Sequence, residues 1–258
     1  MYIFQSTDIQ QLSELRQQYL NALYESQELF LELMVPASEK YIIQLDGEDI
    51  GYFMKLNDNY LMEFYLKDKY LPKCSEIFHE IVKKQYLTGA YCKSFDSVLL
   101  KVCCHLHKSM KIVGVLYRNI IDKEIVPLNA IDEVRIATMS DFKAIAGLKE
   151  GVFDTEEEIE ITIKKRAIFI YKNKGDLVGY GIFQPAVDGQ KSYDIGMAVA
   201  PNFRRKGYGT FILNYLKNHC IKNGWQPTCG CAVDNIASQK TIEKTGFVSR
   251  HNMLAFAF

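Results

Sequence analysis

Several features that would assign a function at once are missing from this sequence. Its 31 basic and 31 acidic residues cancel, so no excess positive charge exists to attract a nucleic acid. No apolar run approaches the roughly 20 residues of a membrane span, and the N-terminal segment MYIFQSTDIQ lacks the basic start and apolar core of an export signal. We therefore predict a cytoplasmic protein that binds neither nucleic acid nor membrane.

Cysteine is present in an odd number, seven, scattered through segments of regular periodicity. This usage is typical of reduced thiols rather than of a disulfide framework. Cys103 and Cys104 precede His105 and His107, a cluster that could hold a metal, but no second ligand pair stands at the spacing of a structural zinc site. We predict no metal site and interpret the cluster as an ordinary helix end.

The length of 258 residues and the hydrophobic content of 48% are sufficient for two cores and favour two domains. Between Val134 and Phe258, the hydrophobic periodicity predicts one strand, two helices, three strands, a long helix, a strand, a helix and a final strand. The second helix is predicted to begin at about Thr155, and Gly246 is predicted to end the last helix. This order predicts an α/β fold with a mixed sheet.

The first half carries a faint copy of the second. Residues 47–52 (GEDIGY) align without gaps to residues 175–180 (GDLVGY), and residues 70–78 align to residues 203–211 after a small shift. Such self-similarity predicts an internal repeat. We predict two domains, 1–125 and 130–258, joined by a linker near Asp122–Asp132.

A glycine-containing turn with three cations joins a predicted strand to the long predicted helix. It runs from Val199 to Thr210 (VAPNFRRKGYGT), with cations at 204–206 and glycines at 207 and 209. Glycine lets a backbone approach a ligand closely, and the first amides of a helix have no helical acceptors and favour phosphate groups. Cations at a helix start oppose its dipole, which also indicates an anionic ligand. The turn matches neither a Walker loop nor a dinucleotide fingerprint.

This turn resembles the pyrophosphate loop of the GNAT superfamily of acetyl-CoA-dependent N-acetyltransferases. The family pattern is Arg/Gln-x-x-Gly-x-Gly/Ala after a strand ending in Val-x-Pro, and Arg204, Gly207 and Gly209 fill it. The resemblance extends over residues 133–258, about half of the chain, through the order of strands and helices.

A second family motif follows at the expected distance. It consists of an Asn that opens a helix, a small residue three positions later, and Gly-Phe at positions eleven and twelve. Asn235, Ser238, Gly246 and Phe247 match all four positions. Asn235 is also the residue type that caps a helix without any ligand, and the two roles are compatible.

The resemblance implies tandem GNAT-like folds, each a mixed, mostly antiparallel twisted sheet flanked by helices. It implies acetyl-CoA as cosubstrate and direct attack by a primary amine of a small molecule or peptide, within a ternary complex. It also implies that the amide of Met197 polarises the acetyl carbonyl and that Val199 bonds the pantetheine. The residues that it assigns to the cofactor are Met197, Ala198, Val199, Arg204, Arg205, Lys206, Gly207, Tyr208, Gly209, Thr210, Asn235 and Ser238.

The two motifs do not supply the catalytic acid and base. Many family members carry a Tyr seven residues after the motif Asn, but this chain has Ile242 there. Some relatives carry a catalytic Glu on the strand before the loop, where this chain has Tyr193, with Asp194 beside it. Only one of two adjacent strand residues can face the cleft. Tyr193 is the first catalytic candidate, and a packing role as a half-buried strand aromatic is an equal alternative.

The first half lacks the features of the cationic turn. Leu71, Cys74 and Glu76 replace Arg204, Gly207 and Gly209 of the aligned turn. We therefore expect this half to be a degenerate copy without a coenzyme A site. The alternative to an enzyme is a non-catalytic acyl-CoA sensor, which the absence of the usual acid would allow.

Overall fold

A computed structural model describes residues 1–123, 131–148 and 152–258. The chain divides into two compact units, which we call unit 1 (Met1–Leu116 with His251–Phe258) and unit 2 (Tyr117–Arg250). These residue sets differ from the predicted domains 1–125 and 130–258. The predicted boundary and most of the predicted linker fall on residues 124–130, outside the described residues. Across the described ranges, no helix has the length and apolar content needed to cross a membrane.

Unit 1 is built on a mixed sheet with helices on both faces. Ile43 and Phe53 pack in one core with residues of the third and fourth helices, whereas Ile42 and Tyr52 pack on the other face with residues of the first two. Successive strand residues point to opposite faces, which explains the division. The elements are β1 (Tyr2–Thr7), α1 (Ser13–Ala22), α2 (Leu29–Met34), β2 (Glu39–Leu45), β3 (Glu48–Lys55), β4 (Tyr60–Leu66), α3 (Cys74–Lys84), β5 (Gly89–Lys93), α4 (Ser97–Leu106) and β6 (Ser109–Ile120), which ends in unit 2.

Unit 2 repeats this plan, and its order of strands and helices is the one the periodicity predicts. Neighbouring strands of its sheet are, in order, Gln226–Ala232, Ser192–Val199, Asp176–Pro185, Ile168–Asn173 and Glu133–Ile136. The elements are β7 (Glu133–Ile136), α5 (Phe142–Ala146), α6 (Glu156–Lys164), β8 (Ile168–Asn173), β9 (Asp176–Pro185), β10 (Ser192–Val199), α7 (Tyr208–Lys222), β11 (Gln226–Ala232), α8 (Ile236–Lys244) and β12 (Phe247–Ala257), which ends in unit 1.

Local signals place the helices of unit 2 close to their predicted bounds. Thr155 caps α6, and its hydroxyl accepts from the Glu158 amide while the Glu158 carboxylate accepts from the Thr155 amide. Such a reciprocal cap satisfies two donors that the helix start leaves open. The capping residues Ser140 and Asp141 also predict a first helix that runs to about Lys149, a residue outside the described ones; α5 ends at Ala146.

The last strand leaves unit 2 and completes the sheet of unit 1. Residues 253–257 of β12 pair in antiparallel fashion with residues 89–93 of β5. Leu254 and Phe256 are buried in the same core as α3 and α4. Unit 1 therefore consists of the first half of the chain, Met1–Leu116, together with the C-terminal segment His251–Phe258.

The structure confirms the internal repeat at the level of single backbone positions. A register shift occurs between Ile43 and Gln44 in the first copy and between Tyr171 and Lys172 in the second. A Cβ at Gly51 would lie 2.1 Å from the Tyr65 carbonyl oxygen, and a Cβ at Gly179 would lie 2.2 Å from that of Ala198. The copies thus share the same bulge and the same close approach of β3 to β4 and of β9 to β10. In both units the described strand pairs are antiparallel except β4/β5 and β10/β11.

Candidate functional site

The two parallel strands of unit 2 pair only at their beginnings. The register of β10 with β11 consists of three pairs and ends at Asp194 and Thr228. β10 nevertheless continues to Val199 and β11 to Ala232. The remainder of the two strands borders an opening, which we call the β10–β11 gap.

Backbone amides of β10 point into this gap. On its other edge β10 pairs with β9, and the Ala200 amide donates to the Val178 carbonyl at 2.8 Å. Bonded pairs alternate along an antiparallel ladder, so the even-numbered residues of β10 bond to β9. The amides of Met197 and Val199 therefore face the gap, beyond the last residue of β10 that pairs with β11.

The segment between β10 and α7 begins with a short 3-10 helix, Pro201–Phe203, and then contains two left-handed residues. Arg205 has φ 60° and Gly207 has φ 90°. Gly207 is the N-cap of α7 and offers no side-chain acceptor, and the first helical bond runs from the Phe211 amide to the Gly207 carbonyl at 3.1 Å. The amides of residues 208–210 precede that bond, so this helix start is suited to an anion.

Two of the three cations fasten this turn to the backbone. The Arg204 Nε donates to the Val199 carbonyl at 3.0 Å, and the Lys206 Nζ donates to the Asn202 carbonyl at 2.9 Å. Arg204, Arg205 and Lys206 are all exposed. The positive charge at the start of α7 is therefore placed by the fold and is accessible to a ligand.

Gly209 brings three elements together beside the gap. A Cβ at this position would lie 3.2 Å from Cγ2 of Thr241 on α8, and 3.5 Å from the Cε and Sδ atoms of Met197. The small residue thus lets the first turn of α7 lie against β10 and α8. The sequence did not single out Thr241, since a Thr inside a helix carries no signal of such a contact.

Other predicted residues have structural roles at the same place. The Tyr208 ring is buried and packs edge-on against Phe203 at 5.4 Å, so only its backbone faces the helix start. The Asn235 Oδ1 accepts from the Ser238 amide at 3.0 Å and caps α8. The predicted cap is confirmed by this bond, and the cofactor contact of these residues stays a prediction.

The structure places Tyr193 away from the β10–β11 gap and from the turn before α7. Tyr193 pairs with Pro227 in the closed part of the ladder, and its ring is stacked on Trp225 at 4.0 Å and 6°. Four residues of strand, about 13 Å at 3.3 Å per residue, separate it from Met197. The half-buried Tyr193 side chain therefore has the packing role that the sequence left open beside the catalytic one.

The remaining clusters that the sequence singled out lie in cores. Ile242 is buried in unit 2, and Cys103 is buried in the core of unit 1 that contains α3 and α4. All seven cysteines are free thiols. Among the described residues, no group of three or more His, Cys, Asp or Glu side chains is arranged to hold a metal ion.

Comparisons with known proteins match both halves of the chain. Residues 8–120 match a family model described as "Acetyltransferase (GNAT) domain", and residues 134–247 match one described as "Acetyltransferase (GNAT) family". The "Uncharacterized N-acetyltransferase YjdG" of Bacillus subtilis (strain 168) is 34% identical over 86 residues, which are 33% of this chain and 51% of that protein. The match thus spans about half the length of this relative.

Solved structures show the same architecture over the whole chain. An acetyltransferase of the GNAT family from Colwellia psychrerythraea superposes with a TM-score of 0.90 at 20% identity, over 100% of this chain and 99% of that one. A tandem GNAT protein from the clavulanic acid biosynthesis pathway superposes with a TM-score of 0.60 at 11% identity, over 100% and 98%. At these identities the likeness shows the fold. With a GNAT model matched in each half, the chain belongs to the GNAT acetyltransferase family and carries two GNAT domains in tandem.

Proposed function

We propose that unit 2 binds acetyl-CoA and transfers its acetyl group to a primary amine of a small molecule or peptide. The observation that carries this proposal is the combination of the β10–β11 gap with the cationic glycine turn at its end. The amides of Met197 and Val199 supply donors inside the gap, and the start of α7 supplies donors and positive charge for phosphates. One elongated ligand with a pyrophosphate and an amide-containing arm would satisfy both.

The residues of unit 2 would act mainly through position and electrostatics. In the proposed complex, the Val199 amide holds the pantetheine arm, and the Met197 amide donates to the acetyl carbonyl oxygen. Acetyl-CoA supplies a thioester, so attack by the neutral amine forms the C–N bond, breaks the C–S bond and releases the thiol after proton transfer. A preorganised donor at the developing oxyanion lowers such a barrier by about 3–4 kcal/mol. No covalent intermediate on the protein is required.

The test is a calorimetric titration of the full chain with acetyl-CoA, followed by thiol-release assays over a panel of primary amines. We expect saturable binding, and release of free thiol in equal amount to an acetylated amine identified by mass spectrometry. Binding without turnover on any amine would favour the acyl-CoA sensor, for which the buried Ile242 at the position of the usual acid is the supporting observation. A chain that does not bind acetyl-CoA contradicts both.

The stacked geometry of Tyr193 gives a prediction for its hydroxyl. Tyr193→Phe keeps the ring on Trp225, so we expect unchanged thermal stability and little change in kcat. Tyr24→Phe, at a ring 80% exposed in unit 1, is the matched control. A fall in kcat of about 100-fold or more, with a shifted pH profile, would instead assign general acid or base catalysis to Tyr193.

A further inference from the structure

The two strands that border the β10–β11 gap continue beyond their last pair. Asp194 pairs with Thr228, and at equal distances beyond that pair stand Met197 on β10 and Cys231 on β11. The pairing of β10 with β9 has no irregularity over these positions, so the side chains of β10 alternate regularly between the two faces of the sheet. Residues at equal distances from a parallel pair share a face, and the Cys231 side chain therefore stands across the gap from that of Met197.

α7 and α8 cover the face of the sheet on which these two side chains lie. A Cβ at Gly209, in the first turn of α7, would be 3.5 Å from the Sδ of Met197. The Cys231 thiol interacts electrostatically with the carboxylate of Glu243 on α8, and this carboxylate accepts from the Tyr117 hydroxyl at 3.4 Å. The thiol is therefore on the side of the gap from which α7 and its cationic turn rise.

The opposite face of the two strands carries only small residues beyond the last pair. These residues are Gly196 and Ala198 on β10, and Gly230 and Ala232 on β11. A ligand with its phosphates at the start of α7 would pass the Met197 and Cys231 side chains first and reach this bare face with its far end. In acetyl-CoA the sulfur precedes the acetyl group along that path, so the sulfur is the reacting atom that comes nearest to the Cys231 thiol.

The Cys231 thiol is free and half-buried, and it carries its proton at neutral pH. In the part of the chain that the structure describes, its Sγ has no hydrogen-bond partner. Burial raises the pKa of Cys231 to about 11, and the Glu243 carboxylate acts in the same direction. A protonated thiol is a poor nucleophile, but it can donate a hydrogen bond.

A donor at this place matters because cleavage of the thioester leaves negative charge on sulfur. Donors that are already in position where charge develops lower the barrier of such a step. Ile242, at the position of the usual acid on α8, is apolar and 4% exposed, so its side chain offers no donor. The S–H group of Cys231 offers one from the neighbouring strand.

We propose that Cys231 is a catalytic residue whose thiol donates a hydrogen bond to the departing sulfur of acetyl-CoA, an inference that rests on the proposed function of unit 2. Attack by the amine forms the C–N bond, and the electron pair of the C–S bond passes to the sulfur of coenzyme A. The proton that this sulfur finally takes comes from the amine. Cys231 keeps its own proton throughout, so no acetyl group is transferred to the protein.

The first test needs no turnover and uses the product, coenzyme A, as the probe. Calorimetry on the full chain gives the affinities for coenzyme A and acetyl-CoA at about pH 7 and about pH 9.5, on either side of an ordinary thiol pKa. Only coenzyme A has a thiol that ionises, and a donor beside its sulfur favours the thiolate. We expect the ratio of the two affinities to rise with pH about tenfold more in the unaltered chain than in Cys231→Ala.

The second test separates hydrogen bonding from packing. Cys231→Ala should lower kcat about tenfold without changing the affinity for acetyl-CoA, and Cys231→Ser, whose hydroxyl also donates, should recover most of the loss in kcat. Cys104→Ala, at an exposed thiol of unit 1, is the matched control and should leave both measurements unchanged.

The outcomes distinguish this inference from the proposed function. If the unaltered chain does not bind acetyl-CoA, the proposed function is wrong. If it binds acetyl-CoA but Cys231→Ala shows the same pH dependence of coenzyme A affinity as the unaltered chain, the role of Cys231 is wrong while the binding site stands. A Cys231→Ser variant as slow as Cys231→Ala would likewise overturn the role of the thiol as a donor.

Discussion

Replacement of Gly207 by valine should strongly weaken acetyl-CoA binding and leave unit 2 folded. Gly207 has φ 90° and ψ −8°, a left-handed conformation that costs an L-residue about 1–2 kcal/mol and a β-branched one more. Relaxation of that strain would turn the backbone at the N-cap of α7 and redirect the amides of residues 208–210. We expect calorimetric affinity for acetyl-CoA to fall by about 100-fold or more, which corresponds to the loss of several phosphate contacts.

Gly224, which lies just beyond the other end of α7, also has a left-handed backbone and provides a control substitution of similar strain. Gly224 is exposed and has φ 72°, and a Cβ at this position would have no neighbouring atom within 4 Å. Gly224→Val therefore imposes a similar backbone cost without touching the proposed phosphate site. We expect Gly224→Val to bind acetyl-CoA as the unaltered chain does, with a comparable fall in melting temperature. If both variants keep full affinity, the turn at 201–207 is a structural connection and the acetyl-CoA proposal is wrong.

Much of unit 2 was predictable because its signals are local. The hairpin turn at Lys174 and Gly175 has the two positive φ angles that a tight hairpin needs, and a glycine supplies one of them at no steric cost. The cap at Thr155 and the helix end at Gly246, with φ 91°, are each encoded within a few residues. The repeat was detectable for the same reason, since both copies need the glycine-containing turn before β3 and β9.

Contacts between distant parts of the chain were not predictable from these patterns. Arg16 donates to Glu63 at 2.9 Å although 47 residues separate them, and Glu63 is fully buried. Either residue in isolation resembles an ordinary surface charge, and only the fold places them in one core. The stack of Tyr193 on Trp225 is likewise a contact between residues distant in the sequence. It was not predictable, although it gives Tyr193 a packing role where the sequence had suggested proton transfer.

Residues 251–257 of β12 belong to unit 1, so a substitution among them is expected to destabilise unit 1 strongly. Phe256 is 1% exposed and belongs to the unit 1 core, and its carbonyl oxygen would lie 2.3 Å from a Cβ at Gly89. Phe256→Ala removes a buried ring from a close-packed site, which costs about 3–5 kcal/mol. A domain has about 5–15 kcal/mol of stability in total, so this single change should remove a large part of it.

The change should act on unit 1 although the residue follows unit 2 in the chain. Hydrogen exchange measured by NMR can separate the units, and we expect amides of β3 and α3 to exchange faster by about 100-fold or more, while amides of β8 and β9 change much less. Phe30→Ala, at a ring 45% exposed in unit 1, is the matched control and should shift exchange only slightly. Equal acceleration in β8 and β9 would show that the two units unfold together.

Removal of residues 251–258 tests the same dependence with a larger perturbation. The truncated chain loses the five-residue pairing with β5 together with the buried side chains of Met253, Leu254 and Phe256. Because β5 would then have an unpaired edge beside an opened core, we expect unit 1 to unfold at room temperature. Addition of a peptide of sequence HNMLAFAF should restore protected amides in β5, whereas a peptide with Ala at the position of Phe256 should not. Failure of the native peptide to restore these amides would contradict this account. A unit 1 that stays folded without the segment would also contradict it, and would show that residues 1–116 are stable by themselves.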